Sequence, residues 1–266
     1  VINAAFKGIQ KATEIIDMRF HRGEHARMGA TDVCPLVPIS DISMKECVEY
    51  SKTLAKKVGN DLNIPIFLYE QSANVEARRN LATIRKGEFE GMIEKLNHPE
   101  WKPDYGPAKR HSSAGVTAIG ARKFLIAYNI NLNTQDKRIA TDIAFDIREQ
   151  GRNKRDKAGK FVRGEDGMPI KVPGKLKNCK AVGWYIDEYN LAQVSMNLTD
   201  FDITPPHTAF EEACKQSHKR GVRVTGSELV GLIPLDAMIT AGKYYLKLQH
   251  RSTGISTKDI IQIAVK

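Results

Sequence analysis

AVGWYIDEYNLAQVSMNL, residues 181–198, reads as two strands folded back on each other. Its second half alternates Val194, Met196 and Leu198 with Gln193, Ser195 and Asn197, the two-residue period of a strand with one apolar and one polar face. Asp187, Glu188, Tyr189 and Asn190 interrupt the pattern with a short polar turn, so residues 181–186 and 191–198 form a hairpin. Upstream, residues 123–132 read as another strand, in which Ile126, Tyr128, Ile130 and Leu132 alternate with Asn129 and Asn131, the amide series continuing to Asn133. Thr134 then caps a helix carrying Ile139, Ile143 and Ile147 that stops near Gly151. Downstream, the pattern predicts a helix over 206–218, a strand over 222–225 and a further helix over 235–246.

Strand, helix, hairpin, helix, strand is the β-α-β-β-α-β order of a ferredoxin-like unit. The first half gives a shorter series. Ile2, Phe6, Ile9, Thr13 and Ile16 fall at helical spacing, and Val33, Pro35, Val37 and Ile39 alternate as a short or edge strand. Ser43 and Glu46 form a capping box at the start of a helix running to about residue 62, with Cys47, Val48, Leu54, Ala55, Val58 and Leu62 as its inward stripe. An apolar strand follows over 64–69, then helical stretches within 73–96 and an irregular passage over 97–115, a length that marks a working loop. The fold class expected is α+β, an α/β sandwich of two ferredoxin-like βαββαβ-type subdomains, residues 1–121 and 122–266. The chain has no starting Met, its first half lacks the opening strands of such a unit, and a last helix from near Ser256 stops short at Lys266. Both ends are therefore expected to be incomplete.

Hydrophobic residues make up 41% of the 266 and charged residues 27%, an ordinary globular balance. No apolar run reaches the ~20 residues that cross a bilayer, and the start has no charged region leading into an apolar one. Neither a membrane partner nor secretion is expected. Cys34, Cys47, Cys179 and Cys214 are widely spaced, which argues against a zinc knuckle or a disulfide scaffold and for free thiols in the cytoplasm. The net charge of +10 points first to nucleic acid. Residues 152–177, however, hold nine Lys or Arg against three acidic side chains, a local +6 that leaves only +4 elsewhere. With four glycines, two prolines and no series of stacking aromatics, this segment reads as a solvated mobile loop ahead of a nucleic-acid platform.

The richest chemistry lies between Gly23 and Gly29, where Glu24, His25 and Arg27 put a carboxylate, an imidazole and a guanidinium on a flexible backbone. A polar surface loop is the plain alternative. His21, Glu24 and His25 also match H-x-x-E-H, a zinc-hydrolase arrangement, but that chemistry needs a continuous helix and Gly23 and Gly29 weaken one. Lys109, Arg110 and His111 form a second cluster suited to an anionic group.

Six segments together resemble the glutamate formiminotransferase family, the formiminotransferase domain of the formiminotransferase-cyclodeaminase type. They are Ile16 to Met18, Gly23 to Pro35, Gly120 to Ala127, Arg148 to Arg152, Asn190 to Ser195 and Gly226 to Leu232. The resemblance implies transfer of the formimino group of N-formimino-L-glutamate to N5 of tetrahydrofolate in histidine degradation, giving 5-formiminotetrahydrofolate and L-glutamate. It implies His25 as the catalytic acid/base, and a folate-binding loop over 104–115 whose matching positions are Gly106, Pro107, Ser113 and Gly115; on that loop Lys109, Arg110 and His111, by their charge, and Ser112 are expected to meet the substrate as well. Arg27 is expected either to bind a substrate carboxylate or to brace the turn with a salt bridge. Tetrahydrofolate enters as co-substrate, with no tightly bound cofactor and no metal, no nucleic-acid partner, and a homodimer as the assembly. The family's ligand tunnel between the two halves implies a lining role for Asn129, Asn131, Asn133, Gln193, Ser195 and Asn197. The chain departs from the family pattern at Ala26, Arg110 and Ala114. A formyltransferase of the same fold, a zinc hydrolase and a basic nucleic-acid-binding protein are the alternatives.

Overall fold

A computed structural model describes residues 1–23 and 26–248. The chain divides into two compact units, Val1–Lys123 and Phe124–Lys266. The helix expected from near Ser256 lies outside the described residues.

In the first unit, helix α1 (Ile2–Ile15) is followed by β1 (Val33–Leu36), α2 (Met44–Asp61) and β2 (Ile66–Leu68). Two short helices, α3 (Leu81–Arg85) and α4 (Glu88–Lys95), precede strand β3 (Thr117–Ala121). The capping box forms at α2: Ser43 Oγ accepts from the Glu46 amide at 3.2 Å and Glu46 Oε2 accepts from the Ser43 amide at 2.8 Å. Pro38 lies just beyond β1, and without an amide hydrogen it cannot extend the strand's ladder.

The three strands lie in the order β1-β3-β2, all parallel, with Val33 opposite Ala118 and Phe67 also opposite Ala118. Both faces of this sheet are covered. Leu54, Val58, Ile66, Leu68 and Ile119 pack on one side, while Met28, Phe67, Tyr69, Ile84 and Met92 pack on the other. Burial on both faces explains why the strand expected over 64–69 reads as a continuous apolar run. β3 escaped the sequence reading because it is short and its Ala and Gly residues dilute the β-branched signal of Thr117 and Ile119. Its small side chains suit the crowding: a Cβ on Gly120 would stand 2.2 Å from the Tyr69 carbonyl.

The second unit runs β4 (Ile126–Leu132), α5 (Lys137–Ile147), a short pair β5 (Arg152–Asn153) and β6 (Lys171–Val172), then β7 (Cys179–Ile186), β8 (Leu191–Leu198), α6 (Pro206–His218), β9 (Val224–Val230) and α7 (Leu235–Leu248). Its main sheet is antiparallel in the order β7-β8-β4-β9. Apart from the β5–β6 excursion this is the βαββαβ order and strand arrangement expected. The α+β reading holds for both units; the first shows three parallel strands where a complete ferredoxin-like sheet has antiparallel neighbours. Ile130, Leu132, Val194, Met196 and Leu198 form the second core with Ile143, Ala144 and Ile147 of α5 and Ala209 and Ala213 of α6. Asp136, not Thr134, caps α5: its side chain accepts from the Arg138 amide at 2.8 Å, while Thr134 Oγ1 accepts from the Asp136 amide at 3.1 Å.

Residues 152–172 are not an irregular loop. Lys154 donates its amide to the Ile170 carbonyl at 2.7 Å, Ile170 to Val162 at 2.9 Å, and Val162 back to Lys154 at 3.0 Å, closing a ring of three backbone hydrogen bonds. Its members are eight residues apart, and the side chains repeat at the same period. Arg155, Arg163 and Lys171 follow the ring residues, and Arg155 and Arg163 donate to the carbonyls of Gly159 (2.6 Å) and Gly167 (2.7 Å). Those glycines turn the chain at φ 77° and 75°. The segment is solvent-exposed, as the sequence reading had it, but these backbone hydrogen bonds give it a regular form, a prong. Arg152 ties the prong to α5 through Asp142 (2.7 Å) and Asp146 (2.6 Å), and the same two carboxylates receive Arg220 from beyond α6.

Candidate functional site

The segment between α1 and β1 is held at several points. The Met18 amide donates to the Ser113 carbonyl at 2.8 Å, and Met18 and Met28 are both fully buried, so the chain on either side of residues 24–25 is anchored by apolar side chains. Asp32 braces the far side: its Oδ1 accepts from the Met28 amide at 2.8 Å and its Oδ2 from Arg85 Nε at 2.6 Å. Arg27 spends its guanidinium on α4 and on the turn itself. Nη1 lies 2.9 Å from Glu88 Oε2, Nη2 lies 2.8 Å from Glu90 Oε1, and Nη2 also donates to the His21 carbonyl at 3.3 Å. Of the two roles expected for Arg27, this geometry supports the bracing one. The guanidinium beside it holds the Glu90 carboxyl well below the usual range, at about 2.

Gly29 and Gly115 then join this segment to the expected folate loop. They pair as an isolated antiparallel bridge, flanked by hydrogen bonds from the Ala30 amide to the Ala114 carbonyl (2.9 Å) and from the Val116 amide to the Met28 carbonyl (3.0 Å). The contact is so close that a Cβ on Gly29 would stand 2.1 Å from the Val116 carbonyl oxygen, and one on Gly115, at φ 74°, would stand 2.2 Å from that of Met28. Only glycine fits at either position.

Within the 106–115 passage the expected residues fall into distinct surroundings. Gly106 is exposed but leaves no room for a side chain, since a Cβ there would stand 2.3 Å from the Ile64 carbonyl oxygen. Pro107, Lys109 and Ser112 are exposed, and Ser113 is half-buried. Arg110 lies over the Phe89 ring at 3.8 Å and donates to the Phe89 carbonyl at 2.8 Å. His111 Nδ1 accepts from the Ala114 amide at 3.0 Å, which leaves Nε2 as the protonated nitrogen of the neutral ring and a hydrogen-bond donor. The start of the passage is fixed by Asp104, which accepts from the Leu68 amide (2.8 Å), Arg78 (3.1 Å) and Asn74 (2.9 Å); Arg78 and Asp104 form a buried ion pair.

Glu24 and His25 lie outside the described residues. His21, the other histidine of the zinc alternative, stands in non-helical backbone beyond the end of α1, away from the helix such a motif needs. Among the described residues no group of three or more His, Cys, Asp or Glu is placed to hold a metal ion.

The second unit carries its own polar row. Across the sheet Trp184 stands opposite Gln193 and Gln193 opposite Asn131, and the side chains are linked in that order: Trp184 Nε1 donates to Gln193 Oε1 at 2.7 Å, and Gln193 Nε2 to Asn131 Oδ1 at 2.7 Å and Glu228 Oε2 at 3.1 Å. Gln193 is fully buried and Asn129 nearly so, while Ser195 is half-buried and Asn197 exposed. The register shifts between Asn131 and Leu132, and Asn133 beyond it accepts from the Arg223 amide at 2.7 Å, ending the strand and leaving the row. Glu228 was missed by the sequence reading, although its place between Ser227 and Leu229 in an alternating strand was a usable signal. Asp32, Arg85, Glu88 and Glu90 were missed because nothing local links residues more than fifty positions apart.

Models of two families match the chain: the formiminotransferase domain, N-terminal subdomain, over residues 1–122, and the formiminotransferase domain over residues 127–266. The chain is 46% identical over 246 residues to a glutamate formimidoyltransferase of Streptococcus pyogenes serotype M1, covering 92% of this chain and 75% of that one. It is 45% identical over 247 residues to a formimidoyltransferase-cyclodeaminase of Dictyostelium discoideum, covering 92% and 43%. A similar match, 44% over 245 residues, is found to the formimidoyltransferase-cyclodeaminase of Rattus norvegicus. The chain thus spans less than half the length of these cyclodeaminase-type relatives.

Proposed function

Because the chain belongs to the formiminotransferase domain family, we propose that it is a glutamate formimidoyltransferase. On this reading it moves the formimino group of N-formimino-L-glutamate to N5 of tetrahydrofolate and releases L-glutamate and 5-formiminotetrahydrofolate. The observation that carries the reading is the 46% identity, across 92% of the chain, to a relative named for that activity.

The N5 amine attacks the formimino carbon, giving a tetrahedral centre from which the glutamate nitrogen departs. Protons must leave the first nitrogen and reach the second. His25 is the group we assign to both transfers, since an imidazole with its ordinary pKa near ~6.5 serves as base and then as acid around neutral pH. Arg27 acts as a positioning residue, fixing the chain two residues beyond His25 to the start of α4. Lys109, Arg110 and the Nε2–H of His111 suit the anionic glutamyl portion of a folate, and the exposed Pro107 and Ser112 lie on the same loop. In the second unit, Asn131 and Glu228, positioned by the buried Gln193, supply polar groups fit for a pterin or an amino acid. Tetrahydrofolate is a substrate on this scheme, and holding both reactants together supplies the entropic part of the catalysis. The four free cysteines accord with a cytoplasmic location, and among the described residues no helix is long and apolar enough to cross a membrane.

The test is turnover of formiminoglutamate with tetrahydrofolate by the full-length protein, read as released glutamate, with His25→Ala and a chelator as companions. Chelator-resistant turnover that falls at least ~10²-fold in His25→Ala is expected. Absence of tetrahydrofolate binding overturns the reading, and turnover with formylglutamate alone redirects it to formyl transfer.

A further inference from the structure

The prong and α5 enclose a concave cleft of about 650 Å³, a size that takes a small organic ligand. Five cationic side chains line it, with Asp142 as the acidic one. Arg152 is neutralised there, since it and Arg220 share the carboxylates of Asp142 and Asp146. Arg148, Lys154, Arg155 and Lys171 are not: among the described residues none of the four has a carboxylate partner. Two of them are nevertheless held in place. Arg148 lies 4.4 Å over the Phe145 ring and donates Nε to the Gly151 carbonyl at 2.9 Å; Arg155 lies 4.3 Å over the Phe161 ring and donates Nη1 to the Gly159 carbonyl at 2.6 Å. Each ring fixes a guanidinium plane; Arg148 Nη1 also donates to the Ala181 carbonyl at 3.4 Å, and among the described residues both side chains keep N–H groups with no acceptor. Burial, and then the neighbouring Arg152, pull the Arg148 proton affinity below its ordinary value, the mark of a cation lacking its counter-charge. Beside them Arg152 Nε and the Asn153 side-chain oxygen are buried and, among the described residues, without a partner.

Four fixed or semi-fixed cations in one cleft repel one another until an anion of comparable charge enters. A single carboxylate leaves most of them unpaired. A chain of phosphates, with three to four charges and oxygens spaced for guanidinium forks, matches the number and the donor geometry. Phe161 and Val172, both about two-fifths exposed, give the rim an apolar surface for whatever the phosphates are attached to. We infer that the cleft between α5 and the prong is a binding site for a polyphosphate-bearing small molecule, held by Arg148, Lys154, Arg155 and Lys171. The site uses none of the residues assigned to formimino transfer, so it stands or falls independently of that activity.

The experiment is calorimetric titration of the full-length protein at 150 mM salt with inorganic triphosphate, with ATP, with citrate and with a single-stranded oligonucleotide. Saturable one-site binding of both triphosphates, at least ~10-fold tighter than citrate, is expected, and the double variant Arg155→Ala, Lys171→Ala weakens it at least ~10-fold. Val172→Ser separates the sources, since Phe161 also holds Arg155: a loss confined to ATP assigns the rim to an attached organic group, and equal retention of both assigns the site to the phosphate chain alone. Lys154→Gln alters an exposed side chain without touching the backbone ring, and still weakens binding if the double variant disturbs the prong. Lack of saturable triphosphate binding, binding that survives all of these changes, citrate binding as tightly, or binding of the oligonucleotide alone would each overturn the assignment.

Discussion

Arg27 and Glu90 face each other fork to fork, Nη1 at 3.0 Å from one carboxylate oxygen and Nη2 at 2.8 Å from the other. Together with Glu88 this closes a clasp between the segment that bears His25 and the first turn of α4. Both acids sit where a helix N-terminus favours negative charge, so the clasp completes an arrangement that α4 already prefers.

If the clasp braces the turn, its two sides are interchangeable in effect. Glu88→Gln with Glu90→Gln is expected to lower kcat to the same degree as Arg27→Ala, with little change in KM for formiminoglutamate, and Arg27→Lys is expected to recover only part of it. Steady-state kinetics on the four proteins check this. A KM rise confined to the Arg27 variants would instead place Arg27 on the substrate carboxylate.

Acid should release the clasp late. The Glu90 carboxyl is held down to about 2, first by its hydrogen bond to Arg27. A depressed folded-state value means the contribution is complete above the ordinary glutamate range near ~4.3 and is lost as pH falls toward 2. The stability difference between wild type and Glu90→Gln is therefore expected to be flat above pH ~5 and to shrink below it, measured by urea unfolding across that range.

Gly115→Ala combines a positive φ with a backbone collision. The expected cost is roughly 2 kcal/mol or more, read as a lower denaturation midpoint. The variant should also bind tetrahydrofolate weakly, because the bridge to Gly29 cannot form. Exposed Ser112→Ala, three residues away, is expected to leave the midpoint within about 0.5 kcal/mol of wild type.

Burial pushes the Cys179 thiol up to about 12, with Glu149 adding to the effect. At pH 8 roughly one molecule in 10⁴ carries the thiolate, so this residue should resist alkylation in the native protein and react only on unfolding. Mass spectrometry of labelled peptides with and without urea reads the difference.

What the sequence made legible follows from the range of the interactions involved. Alternation exposed β7 and β8 with their turn at residues 187–190, because a sheet with one covered face writes its period into neighbouring residues. The capping box at Ser43 was equally local. β3 was lost because it is buried on both faces and so shows no alternation, while Ala118, Gly120 and Ala121 dilute the signal of Thr117 and Ile119. The parallel pairing of the first sheet could not be read either, since parallel order depends on which distant segments cover its faces. Motif resemblance pointed to Gly23–Gly29 and to the 106–115 passage, but only the fold reveals that Gly29 and Gly115 are the seam between them. Asp32 with Arg85, and Arg27 with Glu88, lie too far apart in the chain for any pattern to connect them.

The three-residue ring at Lys154, Val162 and Ile170 bears on how such a chain tolerates change in length. An insertion or deletion of a few residues in an ordinary surface loop alters only slack. Here it would break closure, leaving an amide or a carbonyl of Lys154, Val162 or Ile170 facing no partner. The prong is thus a part whose length is set by its own hydrogen bonds, so that change within it falls on side chains rather than on the number of residues.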